Sequence, residues 1–478
     1  MKYIFNEPKI EYTVRELINS FIPKTKFEIC DTIPDKEDYT CVNITSYDSV
    51  FLYNIKIRIK GETKEIKKTH HTFSKTFVST LVSEIMKDFT GIELPWGILT
   101  GIRPAKMVRE LIDSGEDTEK IYNTFINEYK VRPDKAKLSI EIAEKETEIA
   151  KNINKNAVSL YIGIPFCPTR CLYCSFTSQS IKFSNTLVEP YMDAMLKEID
   201  YVSEYIRSNN IPIETIYIGG GTPTALDEKN LFILTDKIQK SFDIDNIKEY
   251  TVEAGRPDTI TKEKLKILKE ASVSRISINP QSMNQKTLDI IGRKHTPDDI
   301  IRSYEDALSL GFKHVNMDLI AGLPGENTDD FSHTLDLIKS IDPSSVTIHT
   351  LSIKHGSYLD MNYSMYTPSA AKTVDEMLTL GENTLKNMDM HPYYMYRQKN
   401  MLGNLENIGY CKKGFECIYN IYIMDEIQSI ISIGAGASTK IVKGNNIERV
   451  FNVKEVSEYI KRIDEMIDRK KNLFQGVN

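Results

Sequence analysis

Three cysteines on one short stretch carry the strongest chemical signal in this sequence of 478 residues. Cys167, Cys171 and Cys174 lie in YIGIPFCPTRCLYCSFT, which begins at Tyr161, and their spacing is C-x3-C-x2-C. Three thiolates on one loop can hold three corners of a cubane iron–sulfur cluster and leave the fourth iron open to a substrate. A zinc site typically has four ligands in two pairs, and an electron-transfer cluster typically has a fourth cysteine. The alternative is three structural thiols.

The surrounding segments resemble a known family. C-x3-C-x2-C after a strand is the signature of the radical S-adenosylmethionine (SAM) enzymes, and the longer string is similar to the oxygen-independent coproporphyrinogen oxidase group, above all its HemZ-type dehydrogenases. The matching segments are Gly219–Thr224 (GGGTPT), Thr251–Pro257 (TVEAGRP), Arg275–Ser282 (RISINPQS), Gly292–His295 (GRKH), Asn316–Glu326 (NMDLIAGLPGE), Pro95–Lys106 and Tyr394–Tyr410. The resemblance therefore covers nearly the whole chain.

The resemblance implies both a cofactor set and a reaction. A [4Fe-4S] cluster on the three cysteines chelates SAM, with one or two SAM molecules bound, and an electron from a flavodoxin- or ferredoxin-type donor releases a 5′-deoxyadenosyl radical. The implied reaction is oxidative decarboxylation of coproporphyrinogen III to protoporphyrinogen IX. Two alternatives stay open, namely radical chemistry on haem with methyl transfer and ring opening, and a haem-binding chaperone.

The resemblance also assigns roles to single residues. Tyr161 joins the cysteines as a catalytic residue because it matches a tyrosine near the substrate in relatives. Tyr173 packs against the adenine of SAM, and Glu253 contacts SAM. The positions that match a second SAM site or the neighbouring substrate region are Gln281, Arg293 and Asp318.

The residues themselves support some of these roles and leave ordinary alternatives. Glycines at 219–221 let the backbone approach a ligand without obstruction, and Thr222 adds a hydroxyl, although GGG-T-P alone more often forms a tight turn. Tyr161 can be a core aromatic and Glu253 a solvated strand end. Arg293 precedes a lysine, which is typical of a surface. Asp318 lies among apolar residues, and a buried aspartate needs partners, which favours a site role.

Two positions depart from the family pattern. Many relatives carry a histidine where this chain has Gly163, and the bacterial oxidases carry a further cysteine where it has Phe176. Phe176 is typical of the haem-chaperone branch. Both differences weaken the transfer of the oxidase mechanism but leave the cluster and SAM predictions unchanged.

Several other side chains are weaker candidates. A tetrapyrrole has propionates that call for cations, and the candidates to face it are Arg103, Arg397, His349 and His355, each more often structural when taken alone. We interpret the pair His70–His71 as solvated, since neighbouring side chains on a strand point to opposite faces. Cys411 and Cys417 are too few for a further cluster and are interpreted as free thiols. Tyr393, Tyr394 and Tyr396 can stack a macrocycle or pack a small sheet, and packing is favoured.

The sequence after Val158 alternates short β-branched runs with amphipathic segments, which is typical of parallel strands joined by helices. The six predicted strands lie near Val158–Ile164, Glu214–Ile218, Glu249–Glu253, Ser274–Ile278, His314–Ile320 and Ser345–Leu351. Leu187–Arg207 is the clearest predicted helix. Six such units predict an α/β fold with an open, partial (β/α)6 barrel, whose chemistry gathers at the C-terminal strand ends.

The regions around this barrel read as α+β. Residues 1–150 form a predicted N-terminal α+β domain with a helical linker at Pro133–Ile153, residues 151–370 the barrel, and residues 371–478 a C-terminal α+β extension on the substrate side. Strands are predicted at Tyr39–Thr45, Val50–Lys60, Tyr393–Tyr396 and Asn420–Met424. Helices are predicted at Phe73–Asp88, Ala105–Asp113, Ala371–Asn387 and Lys454–Ile467.

Composition narrows the remaining possibilities. The formal charge is −6, with no dense block of lysine and arginine, which argues against a nucleic-acid surface. The N-terminus lacks the apolar core of a secretory signal. The sequence contains no run of about 18 apolar residues, so it does not predict a membrane span. The four cysteines outside the triplet are scattered and the total of seven is odd, which is typical of a reducing compartment. We therefore expect a cytoplasmic protein and, in addition, a monomer. The small tetrapyrrole as its substrate is what the resemblance implies.

Overall fold

The computed structural model describes residues 1–101, 103–175, 179–354, 356–362, 366, 368–398, 401–444 and 446–475. The chain forms two compact units. The first consists of Met1–Glu144 with Arg397–Glu406, and the second of Lys145–Tyr396 with Asn407–Asn478. No helix within the described residues is both long enough and apolar enough to cross a membrane.

The first unit is an α+β module around a five-stranded sheet. Its strands are β1 Lys2–Phe5, β2 Glu28–Ile29, β3 Tyr39–Tyr47, β4 Val50–Ile59 and β5 Glu62–His70. Its helices are α1 Glu11–Phe21, α2 Lys75–Thr90, α3 Pro104–Asp113, α4 Thr118–Asn127 and α5 Pro133–Ala150, the last of which continues into the second unit. The sheet order is β2-β1-β3-β4-β5, and β3, β4 and β5 form an antiparallel meander.

The packing of the first unit follows from amphipathic helices on one face of that sheet. Leu17 of α1 and Leu81 of α2 share one buried core with Tyr53 and Ile55 of β4. The strands and helices predicted between Tyr39 and Asp113 are all present.

The second unit contains the barrel and the C-terminal region. Its strands are β6 Val158–Ile164, β7 Phe166–Cys167, β8 Gln179–Ser180, β9 Ile213–Gly220, β10 Glu249–Gly255, β11 Arg275–Ile278, β12 His314–Ala321, β13 Ser345–Thr350, β14 Met390–Tyr396, β15 Asn407–Lys412, β16 Ser429–Ile433, β17 Ser438–Lys443 and β18 Asn446–Phe451. Its helices are α6 Ile181–Ser184, α7 Val188–Ser208, α8 Glu228–Ser241, α9 Lys262–Glu270, α10 Gln285–Ile290, α11 Pro297–Ser309, α12 Thr328–Ile341, α13 Tyr358–Met361, α14 Ala371–Lys386, α15 Ile418–Asp425, α16 Val456–Lys461 and α17 Ile463–Gln475.

All six predicted barrel strands are present and adjacent. Strands β6, β9, β10, β11, β12 and β13 pair in parallel in that order. Helices lie between them in sequence, as right-handed crossover units require. The α/β fold with a partial barrel is thereby confirmed.

The C-terminal region extends the same sheet at both sides. Strand β15 pairs antiparallel with β13 and carries β14 outside it, whereas β16 pairs in parallel with β6 and leads to β17 and β18. The sheet therefore ends at β14 and β18 and stays open. The division of residues 151–478 into a barrel domain and a separate extension stays a prediction.

Two elements differ from prediction. The strand expected at Asn420–Met424 is wrong, because these residues lie in helix α15. The Glu249 carboxylate of β10 accepts hydrogen bonds from the backbone amides of Ile418 and Tyr419, at 2.8 and 3.3 Å, and so caps the helix from a distant strand. The helix expected at Lys454–Ile467 is split into α16 and α17 at Arg462.

Candidate functional site

The cysteine loop leaves the C-terminal end of the first barrel strand. Cys167 lies in the short strand β7, directly after β6, and the loop then passes Cys171 and Cys174. The Gly221 amide donates to the Ile164 carbonyl at 2.7 Å, and the Thr222 amide donates to the Phe166 carbonyl at 2.8 Å. The cysteine loop and the glycine run are therefore held together by backbone hydrogen bonds.

The absence of side chains in the glycine run is a packing requirement. A Cβ atom on Gly221 would lie 2.5 Å from the Phe166 carbonyl oxygen, and one on Gly219 would lie 3.0 Å from Cδ of Glu253. Gly220 has a φ of +111°, which L side chains rarely adopt. The glycines thus let the cysteine loop and Glu253 approach the end of β9.

Two polar side chains approach the cysteine sulfurs. The Thr222 hydroxyl lies 3.5 Å from the Cys167 sulfur, and Nη1 of Arg256 lies 3.7 Å from the Cys171 sulfur. Arg256 is buried at 3% exposure and forms a two-pronged ion pair with Asp258, at 2.9 and 2.7 Å. Its Nη1 also donates to the Thr169 carbonyl and hydroxyl, at 3.0 and 2.9 Å. This guanidinium ties down the cysteine loop and places a positive charge beside the sulfur of Cys171.

Sequence reasoning missed Arg256. It stands in the TVEAGRP segment that carries part of the resemblance, and an Arg-x-Asp pair directly after a strand end was the available signal. Lys354 is a second omission, since it lies near Cys174 and burial lowers its pKa while the thiol acts in the opposite direction.

Arg293 and Tyr173 are brought together beside the loop. Arg293 is buried, and it donates from Nη2 to the Tyr173 hydroxyl at 3.3 Å and from Nη1 to the Asn279 carbonyl at 2.5 Å. Burial raises the pKa of Tyr173, against the lowering effect of the guanidinium. The surface location that the Arg-Lys sequence suggested for Arg293 is wrong, because the side chain is enclosed.

Glu253 lies at the end of β10 beside the glycine run. The Tyr217 hydroxyl donates to Oε1 of Glu253 at 2.6 Å. Burial raises the pKa of Glu253 to about 7, although the hydrogen bonds from Tyr217 and the Gly220 amide oppose this shift. The carboxylate is therefore a poorly solvated acceptor that gains stability from a further donor.

Asp318 forms a polar chain with His349 and Tyr396. Nε2 of His349 lies 3.7 Å from Oδ1 of Asp318, and Nδ1 lies 3.2 Å from the Tyr396 hydroxyl. Burial opposes the charge of Asp318, but His349 and the Asn316 amide hold the pKa of Asp318 below its usual value. Gln281 is held next to Asp318 by its backbone. Its amide donates a hydrogen bond to the Asp318 carbonyl at 2.9 Å, and its φ is +68°.

Tyr161 belongs to a stack of aromatic rings. Its ring lies 6.2 Å from that of Tyr217 and 6.4 Å from that of Tyr419, and the latter two rings are 4.5 Å apart. A Cβ atom on Gly220 would lie 3.5 Å from the Tyr161 hydroxyl, which places this hydroxyl beside the glycine run. Its catalytic role stays a prediction.

The remaining candidates lie in the first unit, lie outside the described residues, or contact other side chains or backbone groups. Arg397 lies in the first unit, where it donates to the Leu99 carbonyl at 2.9 Å and covers the Trp96 ring. Arg103 also lies in the first unit, at the start of α3. His355 and Phe176 lie outside the described residues. His70 contacts Thr72.

The residues of the loop fit an iron–sulfur cluster. Three thiols are presented on one loop, and a hydroxyl and a guanidinium are directed at two of the sulfurs, as a negatively charged thiolate cluster requires. Cys167, Cys171 and Cys174 would hold the cluster.

Comparison with known proteins agrees with this geometry. A family model for the radical SAM superfamily matches residues 161–338. The oxygen-independent coproporphyrinogen-III oxidase-like protein HemZ of Bacillus subtilis is 40% identical over 401 residues, which are 83% of this chain and 80% of that protein. The haem chaperone HemW of Bacillus subtilis is 31% identical over 311 residues, which are 64% of this chain and 76% of that protein. The solved structure of coproporphyrinogen III oxidase HemN from Escherichia coli has a TM-score of 0.52 at 18% identity, covering 68% of this chain and 73% of that chain.

The fold and the cysteine loop are those of the radical SAM superfamily, whose members use a [4Fe-4S] cluster and SAM, so these two predicted cofactors are confirmed. Within that superfamily, the chain belongs to the HemZ family of oxygen-independent coproporphyrinogen-III oxidase-like proteins.

Proposed function

We propose that this protein oxidatively decarboxylates the propionates of coproporphyrinogen III to the vinyl groups of protoporphyrinogen IX. The observation that carries this proposal is the similarity to HemZ, which extends over 401 residues and thus well beyond the radical SAM segment. In this proposal, the regions outside the shared cluster and SAM motifs select the substrate.

The reaction balances for each propionate. The β-carbon gives up one hydrogen atom, the carboxylate leaves as carbon dioxide, and one electron passes to an acceptor as the vinyl double bond forms. The bound cluster and SAM supply the carbon radical that takes the hydrogen atom, using one electron from a flavodoxin- or ferredoxin-type donor. The protein supplies position and a site that excludes water.

The side chains around the loop divide these tasks. Arg256 and Thr222 hold the cysteine loop and stabilise its thiolates. Burial raises the pKa of Glu253. In this proposal its carboxylate accepts hydrogen bonds from donors of the bound SAM. Arg293 holds Tyr173 in place beside the loop, where the tyrosine supports the adenine.

The second cluster of polar groups serves the substrate side. Asp318 keeps its charge in a partly buried place, and His349 links it to the Tyr396 hydroxyl. In this proposal these three groups contact a second SAM molecule or the pyrrole nitrogens of the porphyrinogen. Tyr161 faces the substrate from the first barrel strand.

Product identification tests the proposal. Cluster-loaded protein, SAM and a chemical reductant are incubated without oxygen, with coproporphyrinogen III and haem in parallel reactions. We expect 5′-deoxyadenosine together with a vinyl product from coproporphyrinogen III, both detected by mass spectrometry, and neither from the Cys171→Ala variant. Deoxyadenosine without a vinyl product would reject the substrate but retain the radical chemistry.

The similarity to HemW gives a second candidate, a haem-binding chaperone. The haem reaction distinguishes it. Stable binding of haem without consumption of SAM would favour the chaperone, whereas consumption of SAM with a methylated or opened macrocycle would favour radical chemistry on haem.

A further inference from the structure

A second set of metal-binding side chains lies on the antiparallel strands β14 and β15. His391 of β14 and Cys411 of β15 are direct cross-strand partners. Glu416 lies in the loop that follows β15 and precedes α15. The three ligand atoms, one nitrogen, one sulfur and one oxygen, all lie within 4.8 Å of one another.

The distances describe a convergent set rather than a chain of hydrogen bonds. Nε2 of His391 lies 3.0 Å from Oε1 of Glu416 and 3.8 Å from Sγ of Cys411. The same nitrogen therefore faces both other ligands. A Cys-His-Glu catalytic triad would instead use opposite ring nitrogens for the thiol and the carboxylate. Ligand atoms at about 2.0–2.3 Å from a zinc ion lie about 3–4 Å from one another, which matches the two distances from Nε2 of His391.

Burial and charge also suit a divalent cation. The Cys411 side chain is fully buried, whereas His391 and Glu416 keep 27% and 11% exposure, so an ion can enter from their side. A thiolate and a carboxylate carry two negative charges, which a divalent cation neutralises.

Lys145 supplies a positive charge beside Glu416 when no metal ion is bound. Its Nζ lies 3.2 Å from Oε1 of Glu416 and 3.0 Å from Oε2 of Glu148. When a cation takes the Glu416 oxygen, Lys145 retains Glu148 as its partner. The exchange therefore leaves no buried charge unpaired.

We propose that His391, Cys411 and Glu416 form a zinc site, with water as the fourth ligand. Nitrogen, sulfur and oxygen donors in a tetrahedral set select a borderline-soft ion, and three protein ligands with one exchangeable position are usual for zinc. The site ties the β14–β15 pair to the loop that begins α15. It is separate in composition from the cysteine loop and uses none of its thiols.

Metal analysis of the cluster-loaded protein tests the site. The protein is purified without oxygen, equilibrated with zinc at micromolar free concentration, and analysed for zinc and iron by mass spectrometry. We expect one zinc ion per chain in addition to the cluster iron. His391→Gln and Cys411→Ser should weaken zinc binding at least about tenfold in competition with a chromophoric chelator.

A matched variant separates the site from general effects on folding. Cys417→Ser also changes a buried thiol, but Cys417 contacts Glu249 at 3.3 Å and should leave zinc binding unchanged. His391→Gln changes a partly exposed side chain, and unchanged iron content would show that this variant folds. Equal zinc affinity in wild type and His391→Gln would overturn the proposal, as would the absence of zinc in the wild type.

Cobalt gives an independent readout. Substitution with Co²⁺ should produce a thiolate-to-cobalt charge-transfer band that is present in Cys417→Ser and lost in Cys411→Ser. A band that persists in Cys411→Ser would assign the ion to another thiol and would contradict the site.

Discussion

The guanidinium of Arg256 lies 3.7 Å from the sulfur of Cys171, while its other edge is paired with Asp258. One buried cation therefore serves two purposes: it neutralises Asp258 and stabilises negative charge at the cysteine loop. Because these purposes use different atoms, substitutions at the two residues separate them.

Arg256→Gln should lower the amount of cluster that the protein retains. The variant loses the cation beside Cys171 and leaves Asp258 without its partner. Loss of one member of a buried ion pair costs about 3–5 kcal/mol, and the partial exposure of Asp258 places this variant at or below the lower end. Iron and sulfide per chain after anaerobic reconstitution measure the effect on the cluster.

Asp258→Asn is the matched control for Arg256→Gln. It breaks the same ion pair but keeps the guanidinium beside the sulfur, so we expect reduced stability with normal iron content. Equal loss of iron in both variants would show that Arg256 acts only through the fold.

The stability of the cluster-free protein should depend on pH through Glu253. Burial raises the pKa of Glu253 from 4.5 to about 7, so between these values the folded chain holds a proton that the unfolded chain releases. The resulting stabilisation is complete below 4.5 and is lost as pH rises through about 7. Glu253→Gln cannot titrate. The free energy of unfolding of wild type relative to Glu253→Gln should therefore fall by up to about 1.4 kcal/mol per pH unit across this window.

Denaturant unfolding at several pH values from about 5 to about 8 measures that difference. Glu263→Gln provides the control, because it changes an exposed carboxylate on α9. A difference between wild type and Glu253→Gln that stays constant with pH, or rises with it, would show that Glu253 is ionised throughout.

The barrel could be predicted from sequence because each of its strands is a short apolar run between turn signals. All six strand predictions, and the helix that became α7, are confirmed within a few residues. The same rule failed at Asn420–Met424, where aromatic and β-branched residues form a helix. Its cap is Glu249, a residue so distant in sequence that no local pattern shows it.

The site could be predicted where the spacing of residues along the sequence defines it. It could be predicted less well where side chains from several strands meet. The cysteine triplet and the glycine run can be recognised from the sequence alone. Arg256, Tyr217 and the pairing of Asp318 with His349 depend on neighbouring strand ends, which only the folded chain brings together. The roles assigned to Gln281 and Arg293 stay predictions.

Gly221→Ala should displace the cysteine loop. The added methyl would lie 2.5 Å from the Phe166 carbonyl oxygen, so the backbone before Cys167 must shift. We expect a loss of about 1–3 kcal/mol in stability and a lower iron content. Gly163→Ala is the control, because its nearest atom would be 3.4 Å away. Normal cluster loading in Gly221→Ala would contradict the close packing of Gly221 against the cysteine loop.

Lys470→Met should destabilise the attachment of the C-terminal helix α17. Lys470 and Glu198 form an ion pair of 2.5 Å with exposures of 1% and 0%, and Glu198 also accepts from Asn452 and Tyr459. Removing the lysine leaves a buried carboxylate with neutral donors alone, so we expect a loss of about 3–5 kcal/mol in the free energy of unfolding.

Two comparisons make this expectation specific. Lys471→Met, at the exposed neighbouring position, should change stability by no more than about 0.5 kcal/mol. Adding Glu198→Gln to Lys470→Met removes the unpaired charge and should restore part of the loss, because the penalty comes from burying a carboxylate without its cation. If the double variant were as unstable as the sum of the single variants, the two side chains would contribute independently and the ion pair would not anchor α17.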